Sequence, residues 1–337
     1  MTHFPIRRKA TLKDVAHAAG VSISTASRAL SNNPIIAEST RRQVQEAAAK
    51  LKYRPNAQAR ALKNSRTNTI GVALPNLQNP YFGQMATTIQ NLGRQAGFIT
   101  IISITNENPN QLNEAINAFI AQQVDGMIIV PHNDSQEALT AVVEQHIPIV
   151  CIDREIKDST IPSVVSDSTP AITEAVHRLI DAQCTPIGFL TGVQNTSTSQ
   201  QRTKAFQHAA KKAQISDDLI IYDIFDLASG ENGAEELIKK GAKSIIAGDS
   251  ISTAGAIRAF YQLGMIPGEE IALVGFDNFL IFSIQPRPLT VISQDVETMS
   301  KQAVKLIMEL INGLVISESR ILTPTTLEIG ETIPVQG

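Results

Sequence analysis

From Asn68 onward, short apolar runs alternate with stretches of helical periodicity, and this alternation restricts the fold more than any other feature of the chain. The runs fall at 69–74, 98–104, 126–130 and 147–152, then at 187–190, 219–222, 244–247 and 271–276. Strands spaced in this way, with amphipathic helices between them, imply parallel sheets built by right-handed crossovers. A chain of 337 residues is long enough for more than one hydrophobic core. We therefore expect two sheets in a two-lobed α/β core over 68–337, with the chain crossing between lobes near 162–166, 289–292 and about 320. Folds of this kind bind ligands in the crevice at the carboxyl ends of the strands.

The first 63 residues belong to something else. They hold 12 Lys or Arg against 3 Asp or Glu, a net +9, while the remainder holds 17 against 29, a net −12. Basic residues gathered at one end of an acidic chain are the footprint of a nucleic-acid-binding module. They are interleaved with periodic apolar residues, as a folded domain requires, so a plain solvated tail is the weaker reading.

Within this segment, 11–19 reads as a helix. Thr11 can cap it, Asp14 sits in the first turn where the helix dipole favours an anion, and Leu12, Val15, Ala16 and Ala19 form one apolar stripe. Gly20 breaks the helix, Ser22 caps a second over Ile23–Leu30, and a third spans about 38–52. Two short helices around an Ala-Gly-Val turn make a helix-turn-helix, whose second helix enters the major groove of DNA by its N-terminal residues. There Arg28 can donate two hydrogen bonds to a guanine edge, Ser24 is a short adaptable partner, and Ile23 can touch a thymine methyl. Residues 53–63 carry few apolar anchors, so a helix that short is marginal in water. A plain linker would have the same spacing.

Thr11-Leu-Lys-Asp-Val-Ala, Ala-Gly-Val-Ser-Ile-Ser-Thr-Ala-Ser-Arg28, Thr40-Arg41, Val44 and Tyr53-Arg-Pro-Asn56 through Ala-Arg-Ala-Leu-Lys63 run in order through about sixty residues. Together they resemble the headpiece and hinge of the lactose-repressor (LacI/GalR) family. The resemblance implies an all-α helix-turn-helix headpiece over 1–54, a hinge helix and linker over 55–67, and a periplasmic-binding-protein-like sensor core. It implies DNA contacts from Thr11, Ser22, Ile23, Ser24, Thr25 and Arg28, and from Asn56, Ala59, Arg60, Leu62 and Lys63 in the hinge, with Leu62 as a minor-groove wedge. One departure is Ala37, where the family usually caps the third helix with Ser; such a cap is typically worth about 1 kcal/mol.

The same resemblance extends over the core and implies effector contacts. Asn79, Tyr81 and Phe82 follow the first strand, and the aromatic pair suits a sugar ring, although Phe82 serves equally well as core. Asp153-Arg154 resembles the pair that holds ring hydroxyls in ribose-binding proteins; a structural ion pair is the alternative. Arg202, Phe225 and Asp277 match an effector-binding arginine, an aromatic wall and an accepting carboxylate. The family's Asn-Asp pair near Ala247 is Asp249-Ser250 here, and an arginine of purine-sensing members is Thr196, which favours a pentose or nucleoside over a purine base.

An enzyme is disfavoured. No dinucleotide, phosphate-loop, zinc-protease or serine-hydrolase motif occurs, and Cys151 and Cys184 lack metal-ligand spacing. No cofactor or metal is expected. Both cysteines lie in apolar stretches and read as buried thiols. Arg7, Arg8 and Lys9 precede no apolar stretch, so a secretory signal and a membrane segment are not expected, and a cytoplasmic protein is. A transport binding protein would have no use for the basic headpiece. The expectation is a homodimeric regulator of a double-stranded operator, released by a small sugar-type effector, with co-repression as the alternative. No heptad tail follows residue 325, so a dimer is favoured over a tetramer.

Overall fold

The computed structural model describes residues 10–54 and 66–334. The chain divides between Thr67 and Asn68 into two compact units. The hinge positions Asn56, Ala59, Arg60, Leu62 and Lys63 lie outside the described residues.

The first unit is all helical: α1 (Leu12–Ala18), α2 (Ile23–Leu30) and α3 (Glu38–Lys50). Thr11 starts α1 with a reciprocal capping box: its hydroxyl accepts from the Asp14 amide, and the Asp14 carboxylate accepts from the Thr11 amide at 2.8 Å. Gly20 follows α1 at φ +62°, a conformation open to glycine at no steric cost, and turns the chain into α2. Ser22 caps α2 by accepting from the Thr25 amide. Ala37 sits at the start of α3 and offers no side-chain cap, as its sequence requires. The core is built mostly from small residues: Val15, Ala16, Ala19, Ala26, Ala29, Val44, Ala47 and Ala48, closed at the edges by Leu12, Leu30, Ile36 and Tyr53. Alanines on facing helices let short helices approach closely enough to exclude water with so little apolar mass.

The second unit is α/β. Its first lobe contains β1 (Thr69–Leu74), α4 (Pro80–Gln95), β2 (Ile99–Ile104), α5 (Pro109–Ala121), β3 (Gly126–Ile129), α6 (Gln136–Glu144), β4 (Ile149–Ile152) and β5 (Ser163–Asp167). Its second contains α7 (Thr169–Asp181), β6 (Ile187–Gly192), α8 (Ser197–Lys212), β7 (Ile220–Ile224), α9 (Leu227–Lys239), β8 (Ser244–Ala247), α10 (Ser250–Gln262), β9 (Ala272–Phe276), α11 (Leu280–Ser283) and β10 (Thr290–Gln294). The chain then returns through α12 (Val296–Ile311), whose Met299, Ala303 and Ile307 are buried in the first lobe with Ile70, Val72 and Ile128.

β11 (Arg320–Glu328) joins the two sheets. Its first half, Arg320 to Pro324, runs parallel to β5, and its second half, Thr325 to Glu328, runs antiparallel to β10. The resulting order is β2-β1-β3-β4-β5-β11-β10-β9-β8-β6-β7. Three strands, β5, β10 and β11, therefore carry the chain between lobes. All the other neighbouring pairs are parallel, which fits the apolar runs buried on both faces. Strand order reverses beside β1 in one lobe and beside β6 in the other, and a doubly wound sheet opens a crevice at such a point.

Helices cover both faces. In the second lobe Phe189 and Phe206 stack at 4.7 Å, while Leu237, Phe260 and Leu273 fill the opposite side. There α9 and α10 touch backbone to backbone: a Cβ at Gly255 would lie 2.5 Å from the Gly230 carbonyl carbon, so only glycine fits. Cys151 and Cys184 are both buried free thiols. Burial pushes the Cys151 thiol up to about 12, which leaves it unreactive. Among the described residues, no helix is long and apolar enough to cross a membrane.

Candidate functional site

The two lobes place one acidic side chain each at equivalent points. Asp153 ends β4 at φ +68° and Asp277 ends β9 at φ +66°, both in the left-handed region that Asp tolerates better than most residues. Each aspartate's amide donates across to the adjoining crossover strand, Asp153 to the Val164 carbonyl at 2.9 Å and Asp277 to the Ile292 carbonyl at 2.8 Å. The turn that follows swings each carboxylate out of the sheet and into the crevice. Both remain buried, at 5% and 6% exposure.

Tyr81 reaches the same place from the first turn of α4. Asn79 caps that helix by accepting from the Tyr81 amide, and the Tyr81 hydroxyl donates to Asp153 Oδ1 at 2.7 Å. Burial, and then Asp153, push the Tyr81 phenol well above its ordinary pKa, so it stays a neutral donor. Phe82 meets Tyr81 edge-on, with ring centres 5.1 Å apart, and packs into the core of the first lobe. Arg154 turns to the rim, where it donates to both oxygens of Glu107 at 2.6 and 2.8 Å and lies 3.6 Å from Asp153. Burial would raise the Glu107 carboxyl, but Arg154 outweighs it and holds the group below its ordinary value.

From the second lobe, Arg202 emerges from α8 at 7% exposure. Its guanidinium lies 4.0 Å over the Phe276 ring, donates Nη1 to the Gly248 carbonyl at 2.9 Å, and donates Nη2 to Gln294 Oε1 at 3.2 Å. The Gln294 amide is the hub of this half. Its oxygen also accepts from the Ser166 hydroxyl of β5 at 2.5 Å, and its Nε2 donates to Asp277 Oδ1 at 2.8 Å. Two crossover strands are thereby tied to the arginine and the carboxylate. Burial pushes the Asp277 carboxyl up to about 6, against the opposing pull of Gln294 and Arg202, with Asp249 and Asp153 adding to the rise.

Asp249 caps α10, its Oδ1 accepting from the Ser252 amide at 2.7 Å. Thr196 likewise caps α8 by accepting from the Ser199 amide. Phe225 stands 68% exposed just before α9. Two hydrogen bonds close the lobes on each other: Asn79 Nδ2 donates to Ser250 Oγ at 3.2 Å, and the Glu155 amide donates to Ser197 Oγ at 3.1 Å. The structure thus brings Tyr81, Asp153, Arg202, Asp249 and Asp277 within electrostatic reach across the crevice, sends Phe82 into the core, and gives Arg154 to Glu107. Gln294, Ser166 and Glu107 were not read from the sequence. Among the described residues, no group of three His, Cys, Asp or Glu is placed to hold a metal.

The headpiece offers a separate surface. Ile23, Ser24 and Arg28 are exposed on the outer side of α2, opposite the buried Ala26 and Ala29. The Ser22 hydroxyl lies 2.8 Å from both the Ser24 and the Thr25 hydroxyls, so the cap also aligns a row of short polar groups at the start of the helix. Residues 11–56 match the model of bacterial regulatory proteins of the lacI family, and residues 67–328 match that of periplasmic binding proteins and the sugar-binding domain of the LacI family.

The chain belongs to the LacI family. It is a DNA-binding transcriptional regulator. It is 31% identical to the transcriptional regulator DegA of Bacillus subtilis over 87% of this chain and 89% of that protein. It is 30% identical to the ribose operon repressor of the same organism over 94% and 96%. The crystal structure of the lac repressor dimer bound to operator and an anti-inducer shares the fold, with a TM-score of 0.88 at 24% identity, over 97% of this chain and 100% of that one. Such LacI members, like this one, carry a helix-turn-helix headpiece ahead of a two-lobed core.

Proposed function

We propose that this chain acts as a homodimeric repressor of a palindromic operator and is released by a small sugar-type effector, a pentose or nucleoside by preference. The observation that carries the reading is the convergence of buried polar side chains from both lobes: Tyr81 and Asp153 face Arg202 and Asp277 across the crevice. Buried polar groups are otherwise costly, and this arrangement suits hydroxyl groups that donate to carboxylates and accept from a guanidinium. A ligand touching both lobes stabilises one lobe angle, and three crossover strands transmit that angle to the chain's entry point at Asn68. The kinship with a ribose operon repressor supports a sugar-like effector.

On DNA, Arg28, Ser24 and Ile23 read base edges, Thr11, Ser22 and Thr25 hold the backbone, and Asn56, Ala59, Arg60, Leu62 and Lys63 engage the minor groove. Leu280, Ile281 and Ile284 are exposed around α11, with Tyr261 exposed on α10. Large apolar residues gathered on one face support self-association. The test is selection of bound duplexes from a randomised pool by the full chain. An enriched inverted repeat, bound by a dimer, is expected; a monomer that enriches an asymmetric site overturns the proposal.

A further inference from the structure

β11 changes partner between Pro324, which pairs with Asp167 of β5, and Thr325, which pairs with Gln294 of β10. Pro324 brings no amide proton, so the backbone ladder loses a donor where the strand passes from one sheet to the other. β5 and β10 flank β11 and are not paired with each other. Side chains close that gap. The Ser166 hydroxyl of β5 donates to Gln294 Oε1 of β10, and the Thr325 hydroxyl of β11 donates to the Asp167 carbonyl at 3.0 Å. A longer contact, from Gln201 Nε2 of α8 to Asp167 Oδ1 at 3.4 Å, reaches the same corner. Ser166 and Thr325 are both buried, so solvent does not compete for their bonds.

The same Gln294 amide is held on its other side by the crevice. Its Oε1 accepts from Arg202 Nη2 at 3.2 Å, and its Nε2 donates to Asp277 Oδ1 at 2.8 Å. A guanidinium only donates and a carboxylate only accepts, so one orientation of the amide satisfies both, and that orientation presents Oε1 to Ser166. A ligand group that accepts from Arg202, or donates to Asp277, competes for the atoms that fix the amide. What it disturbs is the bond to Ser166, and with it the spacing of two of the three strands that cross between the lobes. The bonds at the crevice mouth, from Asn79 to Ser250 and from Glu155 to Ser197, share no atom with Arg202 or Asp277 and cannot register occupancy in this way.

We propose that the Ser166–Gln294 hydrogen bond sets the lobe angle at which the chain holds its operator, so that both are positioning residues for DNA binding although they belong to the core. The proposal rests on the reading of this crevice as the effector site, and it names the contact through which occupancy is felt. Removing the bond by substitution then releases the operator as the effector does.

The test is operator affinity of the full chain without ligand, by fluorescence anisotropy on the duplex obtained by selection, with Ser166→Ala and Gln294→Met made singly and together. Ser166→Ala leaves no buried group unpaired, because Gln294 Oε1 keeps Arg202 and Nε2 keeps Asp277. The variant should melt within about 2 °C of the parent and bind random DNA equally well. It should hold the operator roughly three- to tenfold less tightly, the size expected when one buried hydrogen bond is lost from one side of a two-state equilibrium. In the Gln294→Met background Ser166→Ala should change nothing further, because the bond is already absent. A Ser166→Ala protein whose operator affinity is higher, or within about twofold of the parent's, overturns the proposal. So does an equal loss on random DNA, or a Ser166→Ala effect that adds in full to that of Gln294→Met. Should Gln294→Met fail to fold, the single Ser166→Ala variant decides. Failure of the crevice reading would show separately, as a sugar or nucleoside response that survives Arg202→Ala.

Discussion

Replacing Asp277 with Asn isolates the energetic cost of the crevice. Asp277 is 6% exposed, and its carboxyl is pushed from 3.8 to about 6, chiefly by burial, with Asp249 and Asp153 adding and Gln294 and Arg202 opposing. A shift of roughly two units at about 1.36 kcal/mol each makes the ionised folded protein up to about 3 kcal/mol less stable than it would be with an unperturbed carboxyl. The sign follows from the direction of the shift. Below 3.8 the group is protonated in both states and folding carries no penalty. Between 3.8 and about 6 the unfolded chain ionises while the folded one holds its proton. Stability from this group is therefore lost as pH rises, and the loss is complete above the folded value.

Asn has nearly the same shape, and its Oδ1 can still accept from Gln294 Nε2. Asp277→Asn is therefore expected to stabilise the ligand-free protein by about 1–3 kcal/mol at pH 7.5, or roughly 2–10 °C in a core of this size, and by about a third of that near pH 4.5. Thermal unfolding of both proteins between pH 4.5 and 8 measures this. An unchanged melting temperature at pH 7.5, or a gain of the same size at both ends of the range, would refute the reasoning. Loss of effector binding in the same variant would mark Asp277 as a charge retained for function at the expense of stability.

Three other substitutions probe separate parts of the molecule. Arg28→Ala should weaken operator binding by about 1–3 kcal/mol and relax preference at one base pair per half-site; an equal loss on random DNA would mean a phosphate contact only. Leu62→Ala should reduce both operator affinity and DNA bend, and an unaltered bend by fluorescence energy transfer would reject the wedge. Gly255→Ala should destabilise the second lobe by roughly 1–3 kcal/mol, because its Cβ would lie 2.5 Å from the Gly230 backbone; a denaturation midpoint equal to that of the parent would contradict so close a helix contact.

Much of the architecture was legible because it is encoded locally. Period-2 and period-3.6 patterns place the strands and helices, and the caps at Thr11 and Ser22 are visible as residue types just ahead of an apolar stripe. Asp153 and Asp277, each following an apolar run, were singled out by their match to effector contacts of the family. What the sequence does not display is how side chains distant along the chain share partners. Gln294 joins Ser166, Arg202 and Asp277, residues 128, 92 and 17 positions away, and only the two lobes' strand crossings bring them together. The same limit applies to Arg154, whose partner Glu107 lies 47 residues earlier in a loop without a distinctive pattern. It applies to Phe82 as well: periodicity on α4 cannot say whether an aromatic residue at the crevice edge turns outward or, as found, into the core. β11 was anticipated only as a crossing near residue 320, because a strand parallel to one sheet and antiparallel to the next has no signature in one chain's polarity pattern.

The central claim is that occupancy of the crevice sets affinity for DNA. With the operator obtained by selection and the tightest ligand from a panel of sugars and nucleosides, the direct measurement is a thermodynamic cycle on the full chain: operator affinity with and without saturating ligand, and ligand affinity with and without operator. Linkage requires the two ratios to be equal, and a factor of about 5–150 is typical of such coupling. The account predicts weaker operator binding in the presence of ligand, the same factor on both sides of the cycle, and its disappearance in Arg202→Ala. A ligand that binds the crevice tightly and leaves operator affinity unchanged would contradict it.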